Sequence, residues 1–198
     1  MSAAKHISPA SVGISAALDN RHAFREGMRD GIPIALGYFA VSFSLGIQMG
    51  KIGLSAFQGW LMSALVNASA GEYAALTVMA ALGTYLELFI ITLVANARYM
   101  LMSCALSQRF APDTPFIHRL LVGFGITDEI FGISIARPGY VNPYYSYGAF
   151  VVASPGWSIG TALGIIAGNI LPMIVTNALG VALFGMFLAI IIPPAREN

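Results

Sequence analysis

The sequence predicts an all-α polytopic membrane protein of about six spans, with at least one broken or re-entrant helix. Of its 198 residues, 57% are hydrophobic and only 10% are charged, against roughly 25% charged in a soluble domain. Three long stretches carry no charged side chain: Gly31–Gly50, Ile52–Gly71 and Pro138–Ala195. A soluble chain of this size could not bury so much apolar surface. A bilayer is the solvent in which such segments fold as helices.

Charge and cysteine content exclude several function classes. Ten Lys and Arg balance nine Asp and Glu, for a net charge of +1, so we expect no nucleic-acid partner. The single cysteine, Cys104, allows no internal disulfide and no paired-cysteine metal site. Because metalloprotease, serine-hydrolase and phosphate-loop motifs are missing from the sequence, we expect neither an enzyme nor a cofactor.

The first thirty residues are predicted to lie on the cytoplasmic side of the membrane. Residues 1–20 are typical of a loose tail, and residues 20–30 of a short amphipathic lead-in. The three arginines of this lead-in favour the cytoplasm by the positive-inside rule. No apolar segment precedes Gly31, so the chain shows no cleavable signal-peptide pattern. The transmembrane transport domain is therefore predicted over residues 31–198.

Six spans follow from apolar length and from proline and glycine punctuation. They are predicted at about 32–50, 54–82, 84–106, 120–136, 147–171 and from Pro172 to Pro194. With six simple spans, the loop that carries Arg109 and Arg119 would lie opposite the cytoplasmic N-terminus, against the positive-inside rule. A re-entrant second segment would resolve this conflict.

The second apolar segment, 54–82, is too long for one upright helix of about twenty residues. Asn67-Ala68-Ser69-Ala70-Gly71-Glu72 stands in its middle. Small polar residues, a glycine and a carboxylate at mid-membrane depth predict two half-helices that meet at a break. The alternative is one long tilted helix with a polar kink.

Ionisable side chains inside the spans are the main functional candidates, because each costs at least about 2.5–3.5 kcal/mol at a helix centre. They are Glu72, Glu87, Arg98, Asp128 and Glu129. Glu87 lies near the start of a span, where we expect it to face the membrane boundary. Arg98 is predicted to pair with Asp128 or Glu129, or else to extend its charged group to the membrane boundary. The two acidic side chains point about 100° apart on a helix and so meet different partners. The alternative is an assembly bridge with no transport role.

Glu72, beside Gly71 at the predicted break, is the most suggestive position for a substrate and for taking up and releasing a proton. Half-helix N-termini bind carboxylates, and freed carbonyl groups bind ammonium groups or cations. A zwitterionic amino acid needs both. The predicted substrate-binding residues are Asn67, Ser69, Gly71, Glu72 and Asn96. The predicted charge-balance or proton-relay residues are Glu72, Arg98, Asp128 and Glu129. For the two asparagines, hydrogen bonding between helices is the alternative.

A short internal echo links Leu45–Gly50 with Leu163–Gly168, both of which contain Gly-x-x-x-Gly in an apolar span. Close helix packing is the simpler interpretation, because small residues four apart let two backbones approach. A duplicated half, as in many transporters, is the alternative.

A set of short motifs over roughly residues 22–196 resembles the AzlC-type branched-chain amino acid exporters. The motifs are Gly27…Gly31-Ile32-Pro33, Leu54-Ser55-Ala56, Ala70-Gly71-Glu72-Tyr73-Ala74, Asn96-Ala97-Arg98-Tyr99, Thr127-Asp128-Glu129 and Gly160-Thr161-x-x-Gly164-x-x-x-Gly168-x-x-x-Pro172. The resemblance implies a multi-pass permease of the bacterial inner membrane that exports leucine, isoleucine, valine or analogues. It also implies a small membrane subunit of the AzlD type as a partner.

Two positions depart from the family pattern. The family often has Gln where Glu72 stands and His where Tyr99 stands, which bears on substrate charge preference and on the coupling ion. Family members usually continue through about two more helices, so the resemblance implies a chain truncated at its C-terminus. The predicted function is export by alternating access, coupled to protons or ions. The alternative is a non-transporting or channel-like membrane subunit of a complex.

Overall fold

The computed structural model of the chain describes residues 9–168 and 170, with side chains from Asp19 onward. The described residues form seven helices and no strand, which confirms the predicted all-α class. The helices are α1 Pro9–Lys51, α2 Ala56–Val66, α3 Ser69–Ala80, α4 Tyr85–Ser107, α5 Phe116–Phe124, α6 Asp128–Ile135 and α7 Pro143–Gly168. Three of them, α1, α4 and α7, are long and apolar enough to cross a membrane. The span predicted from Pro172 onward lies outside the described residues.

Helix α1 begins earlier than the sequence predicted. It starts at Pro9, so residues 9–20, expected as part of a loose tail, continue the same helix as the lead-in and the first span. Tertiary contacts explain part of this length. Ala23 is buried, and the Asn142 side-chain amide donates to the Asn20 side-chain oxygen at 2.8 Å.

Helices α1 and α7 run side by side in the same direction. A Cβ atom on Gly27 would lie 1.9 Å from the Tyr145 carbonyl oxygen, and one on Gly46 would lie 2.1 Å from that of Thr161. The two backbones therefore touch along the pair. Gly46 also lies against the backbone of Gly164, so the two echo segments pack against each other. The packing interpretation of the echo is confirmed.

The second apolar segment breaks where the sequence predicted. Asn67 ends α2 in the left-handed conformation (φ 46°, ψ 35°), and Ala68 precedes α3. The half-helices form a hairpin, since Ser63 Oγ lies 2.7 Å from Glu72 Oε2. Nine residues of straight helix would separate these two positions by about 13.5 Å. The α2–α3 hairpin thus enters and leaves at the end of the molecule where α1 stops, which we call the upper end.

A second break, which the sequence analysis did not predict, divides the expected span at 120–136. Helix α5 ends at Phe124, and α6 begins after Thr127, whose side chain caps it. Helices of 9 and 8 residues are each too short to cross a bilayer. Both ends of α5–α6 return to the C-terminal end of α4, because Arg119 contacts Ser107 and Arg109 donates to the Ile135 carbonyl oxygen. This second hairpin therefore enters from the opposite, lower end.

The chain thus uses one arrangement twice in opposite orientations. A long helix followed by a hairpin of two short helices occurs as α1–α2–α3 and again as α4–α5–α6, and α4 is antiparallel to α1. The tips of the two hairpins meet near mid-depth, against the paired helices α1 and α7. There the Tyr38 hydroxyl oxygen lies 2.5 Å from Thr127 Oγ1, and Ser154 Oγ donates to Asn67 Oδ1 at 2.9 Å.

Basic side chains gather at the lower end. Arg137 forms an ion pair of 2.6 Å with Glu26 in the N-terminal half of α1. Arg109 donates to the carbonyl oxygens of Arg137 (2.6 Å) and Gly139 (2.9 Å). Because the α2–α3 hairpin is re-entrant, α4 brings the Arg109 loop to the same end as the lead-in, and the conflict with the positive-inside rule disappears.

Candidate functional site

A small polar cavity lies where the two hairpin tips meet α1, α4 and α7. Its volume is about 10 Å³, which is room for roughly one water molecule. It is lined by Tyr38, Asn67, Ser69, Tyr99, Thr127, Asp128, Glu129 and Trp157. Four predicted site residues, Asn67, Ser69, Asp128 and Glu129, are brought together here from two segments of the chain.

Asp128 and Glu129 occupy the first turn of α6 and meet different partners. Asp128 Oδ2 lies 2.9 Å from Arg98 Nη2, and Glu129 Oε2 accepts a hydrogen bond from the Tyr38 hydroxyl at 2.5 Å. The predicted pairing of Arg98 is therefore found with Asp128. Carboxylates in the first turn of a helix are also favoured by the helix dipole.

Arg98 reaches this site from the middle of α4. Its Nη2 also donates to the Tyr99 hydroxyl at 3.4 Å, whereas its Nε is buried and has no hydrogen-bond partner. Its side chain is 36% exposed, against 18% for Asp128. The ion pair thus joins α4 to the tip of the α5–α6 hairpin.

The N-terminus of α3 faces the same cavity through Ser69. Ala68, which precedes this helix, provides no side-chain cap, and the first backbone N–H groups carry the positive end of the helix dipole. Asn67 is held by its neighbours, since its amide donates to the Ala64 carbonyl oxygen at 2.8 Å and accepts from Ser154. One wall of the cavity is therefore positive and the facing wall carries two acidic side chains.

Glu72 is fully buried and does not line the cavity. The Trp157 indole donates to Glu72 Oε1 at 2.9 Å, and Ser63 Oγ bonds to Oε2 at 2.7 Å. Ser63 Oγ in turn lies 2.8 Å from Thr161 Oγ1. Trp157 also lines the cavity and packs edge-on against the Tyr38 ring at 5.5 Å, so it separates Glu72 from that space.

Gly71 and Asn96 belong to a different space. Both line an apolar crevice of about 550 Å³ between α2, α3 and α4. The Asn96 amide packs directly on Gly71, where a Cβ atom would lie 2.5 Å from Asn96 Nδ2. The Asn96 Oδ1 atom is buried without a hydrogen-bond partner. The structure therefore does not bring these two residues to the central cavity.

Three residues that line the cavity were not predicted from the sequence as site residues: Tyr38, Thr127 and Trp157. The two aromatic residues are typical of packing residues in an apolar span, and no local sequence pattern identifies them as site residues. Thr127 did carry a signal, because threonine followed by two acidic residues is typical of a helix N-terminus. Among the described residues, no group of three His, Cys, Asp or Glu side chains could hold a metal ion. The lining of the cavity provides hydrogen-bonding and charged side chains.

Comparison with known proteins gives a consistent result. The family model of the AzlC protein matches residues 33–171. An uncharacterized membrane protein of Archaeoglobus fulgidus is 30% identical over 86% of this chain and 75% of its own. The inner membrane protein YgaZ of Escherichia coli is 28% identical over 74% and 61%, respectively.

The branched-chain amino acid transport protein AzlC of Bacillus subtilis is 26% identical over 74% of this chain and 58% of its own. The chain therefore spans about three fifths of the length of these last two relatives. No solved structure matches. The named relatives are membrane proteins or transporters, and with the three long apolar helices they place this chain in a membrane.

Proposed function

The chain belongs to the AzlC family, and on this premise we propose that it exports branched-chain amino acids through the central cavity. The family match includes both hairpins and the residues that line the cavity. The similarity to the branched-chain amino acid transport protein of Bacillus subtilis supports the substrate class. The observation that carries the proposal is the meeting of the two hairpin tips, where the N-terminus of α3 faces Asp128 and Glu129.

The cavity offers one partner for each charge of a zwitterionic amino acid. The substrate carboxylate binds the first N–H groups of α3 and the Ser69 hydroxyl, because the helix dipole favours an anion there. The substrate ammonium group binds Glu129 once the Tyr38 hydroxyl releases that carboxylate. Asp128 stays paired with Arg98 and balances its charge.

Transport proceeds by alternating access in this proposal. A cavity of about 10 Å³ is too small for an amino acid, so the described form corresponds to the closed state. The hairpins enter from opposite ends, and each one controls access from its own side. Export is coupled to protons or another ion, and a small membrane subunit of the AzlD type completes the transporter.

The lower, basic end faces the cytoplasm by the positive-inside rule. The membrane is then the bacterial inner membrane.

Efflux from loaded proteoliposomes tests this function. Vesicles that contain the chain, the small subunit or both are loaded with labelled leucine. We expect release only when both are present, and release of leucine, isoleucine and valine in preference to lysine or glutamate. If correctly assembled complexes release no amino acid, the result would instead support the alternative function, that of a non-transporting membrane subunit.

Replacement of Glu129 by Gln tests the site itself. We expect Glu129→Gln to slow leucine efflux roughly tenfold or more, because a hydrogen bond to a charged group contributes about 1.5–3 kcal/mol. Glu87→Gln is the matched control, since that carboxylate is exposed and caps α4 at the upper end. Equal efflux from the two variants would remove the cavity from the substrate path.

A further inference from the structure

We infer that Glu72 carries a proton in the closed form and acts as a neutral latch that holds the α2–α3 hairpin against α7. It is then a positioning residue and does not bind substrate. The inference rests on the hydrogen bonds around this side chain, and on the proposed function only for its transport readout.

The number of available protons supports the neutral carboxyl group. Four contacts link Glu72 Oε2 to Ser63 Oγ, Ser63 Oγ to Thr161 Oγ1, Thr161 Oγ1 to the Trp157 carbonyl oxygen, and the Trp157 indole to Glu72 Oε1. An ionised Glu72 leaves three side-chain protons for these four contacts, one each from Ser63, Thr161 and the indole, and the backbone N–H of Ala68 is a further donor to the carboxyl group. A protonated Glu72 supplies the fourth and donates it to Ser63, so every contact holds one proton.

Among the described residues, none of the ion pairs neutralises Glu72, which supports the same state. The ion pairs in the part of the chain that the structure describes join His22 to Glu26, Arg98 to Asp128, and Arg137 to Glu26. None of them includes Glu72, which has no exposed surface. An unpaired carboxylate is strongly destabilised by burial. The dipole of the short helix α3 offsets only a part of this cost, which is too little to keep the charge.

The network joins three separate elements. Ser63 belongs to α2, Glu72 to α3, and Trp157 and Thr161 to α7. Since Trp157 also lines the cavity, the latch determines both the closure of the hairpin and the position of one cavity wall. A side chain that donates one hydrogen bond and accepts another is sufficient for this role, and no charge is required.

Three variants test the latch in the complete chain. Glu72→Gln keeps a donor for Ser63 and an acceptor for the indole, whereas Glu72→Leu removes both, and Glu72→Ala also leaves a cavity. We expect Glu72→Gln to unfold within about 2 °C of the parent chain, and Glu72→Leu at least about 5 °C lower, from the usual relation between stability and melting temperature. Leucine efflux persists in Glu72→Gln and is lost in Glu72→Leu and Glu72→Ala.

Infrared spectroscopy provides a readout that a purely structural role would not change. We expect a protonated-carboxyl C=O band at neutral pH that moves in deuterium oxide, disappears in Glu72→Gln and persists in Glu129→Gln. The inference is contradicted if no band is lost in Glu72→Gln, or if this variant unfolds at as low a temperature as Glu72→Leu. Neither measurement depends on transport, so a parent chain without leucine efflux would contradict the proposed function alone.

Discussion

Arg98 and Asp128 illustrate how single residues are tolerated at mid-depth in this molecule. Each would be costly alone in an apolar environment, and together they form a 2.9 Å ion pair that joins α4 to the tip of the α5–α6 hairpin. Removal of Arg98 leaves the largely buried Asp128 carboxylate unpaired, and loss of one partner of such a pair is usually more destabilising than the loss of both. The interaction therefore matters for the position of the hairpin tip as well as for charge balance.

A double-mutant cycle tests this pair. We expect Arg98→Met and Asp128→Asn each to lower the free energy of unfolding by about 2 kcal/mol, and the double variant to lose clearly less than the sum. Thermal unfolding in detergent measures all four chains. Arg137→Met with Glu26→Gln forms the control cycle, because both of its side chains are more than a third exposed, whereas Asp128 is 18% exposed, and exposed pairs contribute under about 1 kcal/mol. Additive losses at Arg98 and Asp128 would contradict the pairing.

Helix α1 is positioned by backbone contact with α7. Small residues at the contact points allow the two helices to approach closely, and the Gly46–Gly50 pair lies within this interface. The six-residue echo therefore reflects a packing requirement shared by two helices that touch.

Two glycines of α1 provide a matched test of this contact. A Cβ atom on Gly46 would lie 2.1 Å from the Thr161 carbonyl oxygen, whereas one on Gly37 would meet nothing within 4 Å. We expect Gly46→Ala to lower the free energy of unfolding by about 1–3 kcal/mol through overpacking. Gly37→Ala should leave it unchanged or raise it by up to about 1 kcal/mol through helix propensity. Similar unfolding temperatures for the two variants would show that α1 and α7 lie farther apart than in this structure.

At the scale of the described molecule, residues 9–168, two long helices of opposite direction each lead into a re-entrant hairpin. The two hairpins give each side of the membrane its own half of the central site. This arrangement also determines which loops share a side. The loops at 108–115 and 137–142 both lie at the lower end, although a span was predicted between them.

Cysteine labelling tests the topology. In a Cys104→Ser background, we expect Asp113→Cys and Tyr140→Cys to react with a membrane-impermeant thiol reagent from the same side, and Lys51→Cys from the other. Right-side-out and inverted vesicles distinguish the two sides. If residues 120–136 formed a full span, Asp113→Cys and Tyr140→Cys would react from opposite sides.

The sequence alone determined the features that arise within a few residues. Apolar length predicted the long helices, and Asn67 with its small neighbours predicted the first break, because a left-handed residue and an uncapped helix start are local properties. The cost of charge in an apolar span predicted that Arg98 would find an acidic partner. Glu87 was expected at a boundary, and it lies in an exposed helix cap.

Only the tertiary structure decided which groups meet. The segment at 120–136 has the length and apolarity of a span, and its division at Gly125–Thr127 depends on contacts of the hairpin with α1 and α4. Glu72 looked like a substrate ligand at a helix break, but its partners Trp157 and Thr161 lie on α7, far along the chain. A buried polar group takes the partner that packing brings to it, and packing between distant elements is not encoded in any local pattern.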